Sequence, residues 1–220
     1  MSPAPMPPER AALLLAQWLS PAFPVGAFAY SHGLERAIAD GAIASADDLQ
    51  AWLEDLLTHG SAWSDAIFLA GAYRAENDAA RHDISERARA FAASAERRFE
   101  ADQQGEAFAR TTAAVWDHPK AAQPYPVALG TAAAREGLPL RLTLRMALQA
   151  FAANLTSAAL RLVPLGQTDG QRVLTALVPL IETQADAAEC AQDDALSSTT
   201  WLADIAAMRH ETQATRLFRT

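Results

Sequence analysis

A single cysteine, Cys190, occurs in the 220 residues. That excludes an intramolecular disulfide framework and any cysteine-based zinc cluster. Lysine is equally scarce: Lys120 stands alone beside 17 arginines, and arginine is the cation that suits paired and interfacial sites. Valine and isoleucine together supply 12 residues against 52 alanines, a balance that favours helix and leaves little to build strands. No run of about 20 apolar residues, the length of a membrane-spanning helix, occurs without interruption. The nearest, Leu142 to Val163, carries Arg145, Gln149, Asn154 and Arg161. Positive charge is also in deficit. The net charge of −8 argues against a nucleic-acid or anionic-membrane surface. The opening Met-Ser-Pro-Ala-Pro-Met-Pro-Pro lacks the basic and apolar regions of a secretory signal. Residues 1–9 are therefore expected to form a disordered Pro-rich lead to a soluble, cytoplasmic protein without nucleic-acid or membrane partners.

What is present is helical periodicity. Arg10 to Leu19 reads as a first helix stopped by Ser20-Pro21. The following loop, Pro21-Ala-Phe-Pro-Val-Gly-Ala-Phe-Ala-Tyr30, is apolar where loops are normally polar, so it must pack on the core or on a partner. Ser31 to Ala39 reads as a short helix. Ser45 and Asp48 make a capping box ahead of Leu49, Leu53, Leu56 and Leu57, and Asp65 to Ala75 continues as another helix. Ser85 to Val115 reads as one long charged helix that Gly105 bends. Val127 to Arg135 and Leu140 to Leu162 follow; the latter is apolar almost all round, the mark of a buried helix. Thr168 to Gln171 reads as a second capping box for a helix that Pro179 kinks or divides. Trp201 to about Thr215 is the last helix. The expected fold is all-α: a single-domain bundle of about ten helices around a central apolar helix, occupying residues 10–215, with a tail at 216–220.

The residues offer no catalytic set. Gly166-Gln-Thr-Asp-Gly170 lacks the Gly-Lys-Ser/Thr ending of a phosphate loop and follows a helix. His210-Glu211 has no second histidine at metalloprotease spacing, and His32 has no further ligand three or four residues away. Glu96 and Glu100 share a helix face, but Arg97 and Arg98 beside them read as an ordinary charged surface. Three placements stand out. Tyr30, His32 and Glu35 gather at one helix start. Arg161 sits in the last turn of an apolar helix, either as a contact to the helix dipole or as a bond across an interface. The chain ends in Arg209-His-Glu-Thr-Gln-Ala-Thr-Arg-Leu-Phe-Arg-Thr220, which puts an apolar pair between arginines: a final helical turn or a docking element.

Three long stretches carry a resemblance: Ser20 to Glu35, Arg161 to Arg172, and Asp204 to Thr220. With the Asp65 helix, in this order, they resemble the urease accessory UreF family. The resemblance implies a non-enzymatic, cytoplasmic chaperone that dimerises, binds UreD (also called UreH), recruits the GTPase UreG, and acts on apo-urease during nickel insertion. No cofactor would be held stably, and nickel would pass transiently. It further implies that Arg209, His210, Glu211, Arg216, Leu217, Phe218 and Arg219 contact UreD. Tyr30, His32, Arg161 and Gln167 would lie on the dimer or UreG side, and Glu35 along an internal ion passage. Direct activation of UreG, or a helical small-molecule or metal-binding protein, are the alternatives. Removal of Arg216 to Thr220 is expected to abolish UreD binding with little effect on melting.

Overall fold

The computed structural model describes residues 4–220. Ten α-helices follow one another without a strand among the described residues: α1 Pro8–Trp18, α2 Leu34–Ala39, α3 Ala46–His59, α4 Ser61–Arg74, α5 Asp78–Phe91, α6 Ala95–Trp116, α7 Tyr125–Arg135, α8 Leu140–Leu162, α9 Gln167–Cys190 and α10 Trp201–His210. Residues 1–3 of the expected disordered lead lie outside the described residues. The rest of that lead is not free: the Met6 N–H donates to the Gly137 carbonyl at 2.8 Å, and α1 begins at Pro8, where a proline at the first helical position forfeits no hydrogen bond.

Local chemistry explains most helix starts. The Ser45 hydroxyl accepts from the Asp48 N–H at 3.2 Å, and the Asp48 carboxylate accepts from the Ser45 N–H at 3.0 Å, so the expected capping box opens α3. Asn77 and Ser94 cap α5 and α6 through the N–H groups of Ala80 and Arg97. The long helix expected over Ser85 to Val115 is divided for this reason. Ala92 is extended and Ser94 restarts the helix as an N-cap. Nor does Gly105 serve as a bend; α6 runs through it. A Cβ there would lie 1.9 Å from the Gln123 carbonyl oxygen, so the missing side chain lets the segment before α7 press onto α6. α9 starts earlier than expected, with Gly166 at the N-cap and Asp169 reaching back to its N–H at 3.3 Å. It continues through Pro179 as one helix. α10 stops at His210, five residues short of expectation, and the last ten residues are non-helical.

α8 is the central helix, packing against α1, α2, α3, α4, α7 and α9. Leu144, Leu148, Ala152, Leu155 and Ala159 form its fully buried edge. Its other apolar residues, such as Leu142, Met146 and Phe151, are only half-buried, so the helix is enclosed on one face rather than all round. The apolar loop after α1 behaves as its composition demands: Phe23, Val25 and Tyr30 are buried. Phe23 and Trp18 both pack on Phe108, with ring centroids 5.4 Å apart in each case. Among the large apolar side chains of the loop, Phe28 remains exposed.

Candidate functional site

The turn Ser31–Gly33 organises the site. His32 adopts φ 56° and Gly33 φ 77°, consecutive left-handed residues that a histidine occupies only when its surroundings hold it there. Gly33 is required on a second count, because a Cβ would meet the Ala207 nitrogen of α10 at 2.6 Å. This turn aims Ser31, His32 and Glu35 toward one place, and the end of the chain lies there.

The tail is bound in cis. The Arg219 N–H donates to the Ala29 carbonyl at 2.8 Å, and the Ser31 N–H donates to the Thr220 carbonyl at 2.9 Å. Glu35 grips the segment from below: one carboxylate oxygen accepts from the Leu217 N–H at 2.6 Å, the other from the Phe218 N–H at 2.9 Å. His210, with no exposed surface, stands between two carboxylates, Glu35 at 3.2 Å from Nε2 and Glu96 at 2.8 Å from Nδ1. A neutral imidazole has one N–H, so satisfying both contacts requires a second proton on the ring or on a carboxyl. Arg216 donates to the other oxygen of Glu96 at 2.5 Å. The Glu211 carboxylate accepts from the Ala95 N–H at 2.8 Å, an anion at the N-terminus of α6, where the helix dipole favours it. Burial pushes the Glu35 carboxyl up, but the two backbone N–H groups and His210 outweigh it and hold it below the usual range.

Beneath the tail lies a second, inner cluster. The Glu100 carboxylate of α6 accepts from the Thr220 hydroxyl at 3.0 Å and from Gln104 at 2.8 Å, and it pairs with Arg97. The His32 Nε2 atom is 2.9 Å from Glu100 and 3.1 Å from Arg97, so it serves one of them at a time, as donor or as acceptor. Burial alone would raise Glu100; the charge of Arg97 and the contact with His32 overcome it and set its carboxyl at about 2. Burial and Arg97 push the other way at His32, lowering it. Asp65 of α4 reaches Arg97 only at 3.6 Å, and burial lifts its carboxyl to about 6. Asp65, Arg97, Glu100, Gln104 and His32 line one end of a cavity of about 260 Å³ whose remaining walls are mostly apolar.

The sequence-derived site residues separate on this framework. Glu35 and His210 meet as a pair that the spacing of the chain did not foretell. Both oxygens of Glu35 are engaged by the tail, and Glu35 is not among the residues that line the cavity. Of the tail, His210 and Phe218 are buried against their own chain, whereas Arg209, Glu211, Arg216, Leu217 and Arg219 are exposed. Tyr30 and His32 are also buried. Arg161 and Gln167 are exposed. The Arg161 guanidinium lies 4.9 Å from the Phe218 ring centroid, a cation–π contact that ties α8 to the tail. Among the described residues no three His, Cys, Asp or Glu side chains converge to hold a metal ion.

Glu96 and Glu100, which their arginine neighbours make look like ordinary surface, are central to the site. A signal for them existed: Glu100, Gln104, Phe108 and Thr112 recur every four residues along α6, and Phe108 is a core residue. Phe218 and Thr220 are buried, so removal of the tail would bare the surfaces that they cover. A further feature escaped the sequence reading. α10 exposes Trp201, Leu202 and Met208 at 69%, 74% and 51%, with Ile205 beside them at 43%, an apolar stripe left uncovered among the described residues. No helix among the described residues is long and apolar enough to cross a membrane.

Comparison with known proteins gives the family. The UreF family model matches residues 43–178. A urease accessory protein UreF from Ruegeria pomeroyi is 52% identical over 214 residues, covering 97% of this chain and 99% of the relative. One from Roseobacter denitrificans is 54% identical over 209 residues, covering 94% and 93%. One from Cereibacter sphaeroides is 52% identical over 212 residues, covering 96% and 100%. With a family match over more than half its length and such relatives spanning nearly all of it, the chain belongs to the UreF family of urease accessory proteins.

Proposed function

We propose that this chain acts as a non-catalytic adaptor in urease maturation, joining UreD to the GTPase UreG while nickel is delivered to apo-urease. The observation that carries the reading is the exposed apolar stripe Trp201, Leu202, Ile205 and Met208 on α10, in the same C-terminal segment as the clasped tail. Contiguous apolar surface of this kind marks a protein-binding site, and tryptophan and methionine are enriched at interface centres. UreD would cover this stripe together with the exposed tail residues Arg209, Glu211, Arg216, Leu217 and Arg219. His210 and Phe218 then act indirectly, by fixing the shape that UreD meets.

A homodimer would bury the half-exposed edge of α8 at Leu142, Met146 and Phe151. Arg161 and Gln167, both exposed, would contact a second copy or UreG, while Tyr30 and His32 shape the turn from beneath. Nickel would be handed onward without a fixed ligand set in this chain, and the compartment is the cytoplasm.

Copurification with UreD and UreG tests the proposal. Ile205→Glu and Met208→Glu put a carboxylate into the apolar centre of the stripe. Each should lower UreD capture at least tenfold while leaving helicity intact. If both variants copurify with UreD like the parent chain, α10 is not the docking surface. If the parent chain itself captures neither protein, the adaptor reading fails.

A further inference from the structure

The cavity beneath the tail is uneven in charge. Its polar end holds one cation, Arg97, against two carboxylates, Glu100 and Asp65. Arg97 is committed to Glu100, with which it makes the close pair. Asp65 is left with a guanidinium nitrogen at 3.6 Å and 39% of its side-chain surface accessible. Burial nonetheless raises its carboxyl to about 6. Asp65 borders two open cavities, so part of its accessible surface faces them. His32 adds no charge, since burial and Arg97 disfavour its protonated form. At neutral pH the cluster therefore carries one negative charge in excess. A carboxylate in excess beside a largely apolar wall favours a cation, or a proton, at that position.

The rest of the cavity sets the size and character of that cation. Its walls include Trp18, Leu69, Tyr125, Leu144 and Phe151, which offer apolar contact and aromatic faces. An apolar cavity of about 150 Å³ accepts benzene. The 260 Å³ here therefore accommodates one ring with a short aminoalkyl arm, and is too small for a drug-sized ligand, whose pockets begin near 300 Å³.

We propose that this cavity is a binding site for a small primary amine with an apolar body, its ammonium paired with Asp65 and its body packed against Leu69, Leu144 and Phe151. The inference is independent of the adaptor reading, since it rests on the cavity alone. The ammonium supplies the missing positive charge and donates the hydrogen bonds that the Asp65 oxygens lack. The apolar body displaces water from walls that water solvates poorly.

Calorimetric titration of the full chain with phenethylamine, and with its neutral counterpart phenethyl alcohol, tests the proposal. The amine is expected to bind at least tenfold more tightly than the alcohol and to raise the melting temperature. Asp65→Asn should remove most of that preference while leaving alcohol binding in place. Ala147→Phe, which fills the apolar end, should weaken both ligands. Equal affinity for amine and alcohol, undiminished amine binding by Asp65→Asn, or no binding of the amine at millimolar concentration would overturn the proposal. Should Asp65→Asn fail to fold, the comparison of amine with alcohol on the parent chain decides alone.

Discussion

Replacement of Glu35 by alanine is the sharpest perturbation of the C-terminal clasp. Its carboxylate receives the backbone N–H groups of Leu217 and Phe218 and touches His210. Hydrogen bonds to a charged partner contribute about 1.5–3 kcal/mol each, so two of them amount to roughly 3–6 kcal/mol in gross terms. The measurable loss is capped. Once the tail lifts away, its amides are hydrated and cost nothing further, so the substitution cannot remove more than the whole free energy of docking. That total also contains burial of Phe218, about 1.5–3 kcal/mol, set against about 1–2 kcal/mol of backbone entropy for each ordered residue. A loss near 3 kcal/mol is therefore expected, and at 1.4 kcal/mol per tenfold it multiplies the undocked population by about 100. Trypsin reads this directly, because Arg216 precedes the clasped pair and cleavage requires the segment to open. Where opening and closing are fast, the rate follows the open population. Cleavage after Arg216 should accelerate about 100-fold in Glu35→Ala, with amide exchange at Leu217 and Phe218 rising in parallel. An unchanged cleavage rate in a variant of normal helicity would refute the claim that Glu35 holds the tail.

Deletion of Arg216 to Thr220 exposes the faces that Phe218 and Thr220 cover and strips Glu35 and Glu100 of partners, so the melting temperature should fall; melting identical to the full chain would count against the docked tail. Gly105→Ala pushes a methyl group into the Gln123 carbonyl. Overpacking of this kind costs about 1–3 kcal/mol, against about 1 kcal/mol gained in helix propensity, and the net destabilisation is read by urea denaturation. The acid responses have opposite signs. Glu35 and Glu100 are held below their ordinary range, so the stability they contribute is full above pH 4.5 and fades as pH falls through their folded values, down to about 2 for Glu100. Asp65 is raised, so it favours the folded state below the ordinary carboxyl range and loses that advantage as pH climbs to about 6. Asp65→Asn should accordingly melt higher than the parent at pH 7 and show no such gain at pH 4.

Where local signals sufficed, the sequence was legible. α8 runs over Leu140–Leu162 as its periodicity indicates, and Ser45 caps α3 as its spacing with Asp48 indicates. Boundaries failed where a non-local demand prevailed. Gly105 looked like a bend, but its partner, the Gln123 carbonyl, is brought near only by folding. α10 looked longer because nothing in Glu211 to Thr215 forbids a helix; those residues leave it because Glu211 caps α6 and Arg216 is drawn to Glu96. The candidate site was half-visible for the same reason. Tyr30, His32 and Glu35 advertised themselves as a compact motif, whereas Glu96, Arg97 and Glu100 were hidden among the ordinary charges of a surface-like helix.

Composition by itself determined the all-helical class, since alanine outnumbers valine and isoleucine together more than fourfold and helix propensity is a property of each residue and its near neighbours. The order of residues carried the resemblance to the family, because the motifs around Tyr30, Arg161 and Phe218 are contiguous in the chain. Only tertiary structure decided what those motifs touch. Glu35 and His210 are 175 residues apart in sequence and 3.2 Å apart in the fold. Which carboxylate holds the tail, which is stranded beside a cavity, and which apolar helix face is left bare depend on packing geometry, and no local pattern encodes that.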